Sequence, residues 1–97
     1  MSIVYEVTLT VTSDVREAFL DWLQLHVQEM LGLGFSEGRI YKEEGKENEF
    51  VVQYKMESRE KLETYFEKHA PKMRKDGLDR FGDKMRASRR ILSAVAT

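Results

Sequence analysis

The chain has 97 residues, 41% apolar and 34% charged, with no cysteine and a formal net charge of −1. That size and balance describe one globular domain with a modest core, residues 1–97, rather than a disordered or membrane-embedded chain. The longest apolar runs, such as Phe50–Val52, fall far below the ~20 residues of a spanning helix. A strand already opens at Ile3, so neither a secretory leader nor a membrane partner is expected. The lack of cysteine excludes a disulfide framework and thiolate chemistry, and a cytoplasmic setting is expected.

The charge is unevenly placed. Residues 71–92 carry Lys72, Arg74, Lys75, Arg80, Lys84, Arg86, Arg89 and Arg90 against Asp76, Asp79 and Asp83, whereas the first seventy residues are acidic on balance. Complementary surfaces within one small domain or its dimer explain this, and so would an anion site near the C-terminal strand.

In chain order, Ile3–Thr12 alternates as a strand, with Ile3, Tyr5, Val7, Leu9 and Val11 on one face. Asp14–Leu31 follows at helical spacing. Ser13 or Asp14 can cap it, and Asp14 with Glu17 has capping-box spacing. Its stripe of Val15, Phe19, Trp22, Leu23, His26, Val27 and Met30 must face the sheet. Gly32 and Gly34 stop the helix. Arg39–Glu44 reads as a short, polar edge strand, turning through Gly45–Asn48 into a clear strand at Glu49–Glu57. There Phe50, Val52, Tyr54 and Met56 share a face. Ser58 caps a second helix, Arg59–Ala70, whose buried side is Leu62, Tyr65, Phe66 and His69. Pro71 begins a further turn or short helix, and Met85–Leu92 closes the sheet.

This βαββαβ order specifies an α+β, ferredoxin-like fold: a four-stranded antiparallel sheet with both helices on one face. The other face would carry Val4, Thr8, Thr10, Val51 and Gln53, with Glu6 and Lys55 as its clearly ionic groups. That mixture suits a surface removed from water by a second copy, so a homodimer through the open sheet face is expected.

Few residues could carry chemistry. His26 lies on the apolar stripe between Trp22 and Met30, where a histidine is a packed or rim residue or a polar group in a pocket. His69 ends the second helix, one turn after Tyr65. It can serve the helix end as a cation, or act as a general base with Tyr65 orienting an oxygen. No convergent ligand set points to a metal, and no serine or cysteine nucleophile arrangement is present. The domain order is shared with RNA-recognition domains, but the third strand lacks aromatics on its open face and the chain is acidic, so no nucleic-acid partner is expected.

At Tyr65-Phe66-Glu67-Lys68-His69-Ala70-Pro71, Phe81-Gly82 and Arg89-Arg90-Ile91-Leu92, the chain resembles a small bacterial family, domain of unknown function 4286, within the dimeric α/β-barrel superfamily. Val4-Tyr5-Glu6-Val7 and Phe50-Val51-Val52-Gln53-Tyr54 are similar to it too. The resemblance implies a dimer in which two four-stranded sheets face one another, and it implies no activity. The wider superfamily includes cofactor-independent monooxygenases, cyclases and isomerases. Some cyclase-like members place a catalytic histidine near the end of the second helix with a tyrosine shortly before it, as Tyr65 and His69 stand here. The expectation is therefore a homodimer handling a small hydrophobic or acidic molecule, without a cofactor or metal. It is either an enzyme or a non-catalytic ligand-binding or interaction module. The pocket between helices and sheet would be walled by Tyr5, Trp22, Tyr54 and Phe66. His26, Tyr65 and His69 would be its polar groups, with Arg39 and Arg89 anchoring an acidic substituent.

Overall fold

The computed structural model describes residues 2–95. Strand β1 (Ile3–Val11) leads through a 3-10 turn (Ser13–Val15) into α1 (Arg16–Leu31). Strands β2 (Glu37–Tyr41) and β3 (Glu49–Met56), helices α2 (Arg59–Lys68) and α3 (Ala70–Phe81), a 3-10 turn (Gly82–Lys84) and β4 (Met85–Ser93) follow. All strand pairs are antiparallel, in the order β2-β3-β1-β4. This is the ferredoxin-like architecture that the alternation of periods specifies.

Register builds the core in layers. Tyr5 lies opposite Tyr54, Val7 opposite Val52 and Leu9 opposite Phe50, and all six are buried. Helix α1 sets Phe19, Leu23, Val27 and Met30 on this face at helical spacing, with Phe19 and Leu23 wholly shielded. Removing such a side chain costs about 2–5 kcal/mol. Gly34, at φ 107°, takes the left-handed turn after α1 that a side chain would resist.

Two local expectations are corrected. Helix α1 has no capping box: its N-cap is Val15, with no side-chain cap. The 3-10 turn moves Asp14 off the helix end, and its carboxylate pairs instead with Lys84. The second helix stops at Lys68, and Pro71 lies in the first turn of a full third helix, α3. Pro is suited to that position because the first-turn N–H has no helical partner. The inward side of α3 is Ala70, Met73 and Gly77. The Ser58 cap is as expected, its Oγ accepting from Lys61 N at 3.3 Å.

The open face is more ionic than its β1 and β3 residues suggest. β2 adds Glu37 and Arg39, and β4 adds Arg86 and Arg90. These charges are mostly paired: Arg39 and Lys55 with Glu37, and Arg90 with Glu6. Glu6 is only 6% exposed. Its carboxylate accepts from Arg90 Nε at 2.7 Å and Gln53 Nε2 at 2.9 Å. Those two hydrogen bonds, Arg90 first, hold it below the usual carboxylate range against the opposing effect of burial.

Candidate functional site

A cavity of about 250 Å³ lies between α1, α3 and the helix-facing side of β1 and β4. Small groups leave this space. On β4 the residue opposite Leu9 is only Ala87, so the strand adds little bulk there. A Cβ at Gly77 would stand 3.2 Å from Trp22 Cη2 and 3.1 Å from Met85 Cε. The glycine therefore lets α3 approach the indole closely.

Aromatic rings form the walls. Trp22 is half-buried, stacked on His26 with centroids 4.6 Å apart and planes at 23°, and backed by Phe19 and Phe81. At the other end Tyr5 stacks on Tyr54 at 6.1 Å and meets Tyr65 at the same distance. The Tyr65 hydroxyl donates to Met30 Sδ at 3.3 Å, a weak acceptor. Burial pushes the Tyr54 and Tyr65 hydroxyls above the usual phenol range, so both are neutral donors at neutral pH.

His26 is the imidazole of this cavity. Burial lowers its pKa, the weaker pull of Glu29 and Asp76 acting the other way, so the ring is neutral at neutral pH and has a nitrogen able to take a proton. Among the described residues, no cluster of three His, Cys, Asp or Glu could hold a metal.

Of the residues expected at the site, Tyr5, Trp22, His26, Tyr54, Tyr65 and Arg89 line the cavity. The structure places the others elsewhere. Arg39 is on the opposite face of the sheet, because strand alternation turns its neighbour Ile40 toward the helices, opposite Val52. It pairs with Glu37 there. Phe66 packs edge-on against Tyr5 at 5.2 Å, behind the wall rather than in it. His69 does not line the cavity either. It is the hinge between α2 and α3: its N–H donates to Tyr65 O and its carbonyl accepts from Met73 N. The carbonyl end of α2 and the N–H end of α3 meet there, so the fields of the two helix ends oppose one another.

Met73, Arg74, Gly77, Leu78, Met85 and Ala87 line the cavity without having been expected to. The i, i+3, i+7 spacing of Ala70, Met73 and Gly77 after a helix-starting Pro71 is the signal that locates this wall.

The domain-of-unknown-function model DUF4286 matches residues 2–95, and the chain belongs to that family. Its fold, a four-stranded antiparallel sheet with helices on one face, is shared with solved structures of the antibiotic biosynthesis monooxygenase type. A variant of SnoaB, a cofactor-independent oxygenase from Streptomyces nogalater, superposes with a TM-score of 0.79 at 12% identity, over 99% of this chain and 95% of that one. Candidate antibiotic biosynthesis monooxygenases from Deinococcus radiodurans (TM-score 0.79, 10% identity, 98% and 94% covered) and Nitrosomonas europaea (0.77, 16%, 97% and 90%) are similar too. At these identities the likeness is one of fold. No curated protein matches the chain in sequence.

Proposed function

We propose that this protein is a homodimer that handles a small ring-bearing molecule in the cavity between α1, α3 and the sheet. The observation that carries the reading is the cavity itself: an aromatic-walled space with one neutral imidazole and buried tyrosine hydroxyls among its lining. Its volume lies just below the roughly 300–1,000 Å³ of ligand pockets, which sets a small ligand. Trp22 would stack on the ring and the Tyr5–Tyr54–Tyr65 cluster would close its far end. His26 would take a proton from an acidic C–H or O–H of the ligand, with Tyr65 donating to the neighbouring oxygen. SnoaB, of the same fold, is a cofactor-independent oxygenase; proton removal from an activated ring position is the step of such chemistry that these residues can supply. The Tyr65–His69 pair would instead hold the α2–α3 junction, keeping Tyr65 at the cavity wall.

The test is native mass spectrometry of the purified protein and of Ala87→Phe, which fills the cavity from β4. The wild type should retain a small aromatic molecule, or take one up from a metabolite extract, and the variant should not. Equal uptake by both would contradict the reading.

The open sheet face would join the two copies. Its half-buried stripe of Val4, Thr8, Val51 and Leu92, set among internally paired charges, favours a like surface over water.

A further inference from the structure

We infer that the ligand is a planar aromatic carboxylate, its ring between the aromatic walls and its acid group held by Arg74 and Arg89 at the cavity mouth. The inference rests on the cavity reading above and adds the ligand's charge. Every lysine and arginine from Arg16 through Lys61 is ion-paired, and of the later ones without a pair among the described residues (Lys68, Lys72, Arg74, Arg80, Arg86 and Arg89) only Arg74 and Arg89 line the cavity. Arg74 and Arg89 have no carboxylate within 4.0 Å among the described residues, and the cavity lining contains no Asp or Glu. The two arginines come from different elements, α3 and β4, and both line the cavity.

Their placement is specific. Arg89 occupies a helix-facing strand position beside Val7, where Met85, Ala87 and Ile91 are its neighbours in the alternation. Its neighbour Arg90 lies on the other face, paired with Glu6. Arg74 has its guanidinium 6.0 Å from the Phe66 ring centre. A guanidinium fork matches a carboxylate in two parallel hydrogen bonds, and two such charges beside apolar walls concentrate positive potential.

The experiment compares 2-naphthoate with 2-naphthamide, which have the same ring and differ in charge. Trp22 is the single tryptophan of the chain, so its indole N–H resonance reports occupancy of the cavity directly. The naphthoate should bind about tenfold more tightly than the amide, a preference that shrinks as salt is added. Arg74→Gln and Arg89→Gln should each weaken the naphthoate several-fold and leave the amide unchanged. The double variant should bind the two alike. Both arginines are exposed, so melting temperatures should hold and separate lost binding from lost fold. Equal affinities in the wild type, or an acid preference that survives the double substitution, would overturn the charge assignment and leave the cavity reading standing. If neither probe moves the Trp22 resonance, the cavity reading fails, and this inference fails with it.

Discussion

Glu6 and His26 each titrate below their ordinary values because folding sets them among partners distant in the chain or shields them from water. Alternation put Glu6 on the open face, which is correct, but its burial depends on Arg90, 84 positions away and opposite it only through strand register. His26 was placed on the right helix face, whereas its stacking on Trp22 depends on α3 leaving room. Both groups have pKa values lowered by folding, so the unfolded chain binds more protons than the native one as the solution is acidified, and stability falls. The windows differ. His26 begins to cost stability as pH drops below its unfolded value of about 6.5, until the folded imidazole is protonated as well. The stabilisation from Glu6 is complete above about 4.3 and is lost as pH falls through its lower folded value. Melting temperatures against pH should therefore show His26→Gln flattening the upper limb and Glu6→Gln the lower. Glu6→Gln should also cost about 1 kcal/mol at neutral pH. If the variants follow the wild-type curve, these residues do not titrate as assigned.

At the scale of elements, β1, β3 and two of the helices follow from periodicity, because each buries one face and the apolar pattern records which; the polar edge strand β2, expected at Arg39–Glu44, runs Glu37–Tyr41 instead, since it buries no residue that would fix its bounds. Helix α3 was legible only as a turn or short helix, since its inward side is Ala70, Met73 and Gly77 and its remaining positions are largely charged. Its wall of the cavity is illegible for the same reason: Gly77, which lets α3 approach Trp22 closely, leaves no apolar mark. Gly77→Ala tests that role. Helix propensity favours alanine by up to about 1 kcal/mol, whereas the added methyl must displace Trp22 and Met85 by a few tenths of an ångström. Met85 ends in a flexible thioether, so the net change in stability should be small. Ligand affinity should nevertheless fall, because the displaced side chains enter the cavity; a calorimetric melt beside a binding titration separates the two. Ser58→Ala, which removes the cap of α2, should lower stability by about 1 kcal/mol and leave binding unaltered.

For the whole molecule, one side of the sheet carries the helices and the cavity, and the other is the face that would join two copies in the proposed dimer. Thr8 sits between Val51 and Ser88 near the middle of that second face. Thr8→Lys would bury an unpaired ammonium twice in each dimer, so sedimentation should show two chains for the wild type and one for the variant. A single-chain mass for the wild type at micromolar concentration would remove the dimer. The fold and the sheet-facing aromatics were readable because period and polarity encode them. The cavity was not, being made of what neighbouring elements leave unfilled. The most direct test of the cavity as the ligand site is nuclear Overhauser contact between bound 2-naphthamide and the protein's methyl groups. Contacts to Met73, Met85 and Ala87, with none to Val4, Val51 or Leu92 on the open face, are the result the structure predicts. Contacts to the open face, or saturable binding with no contact to the cavity methyls, would contradict it.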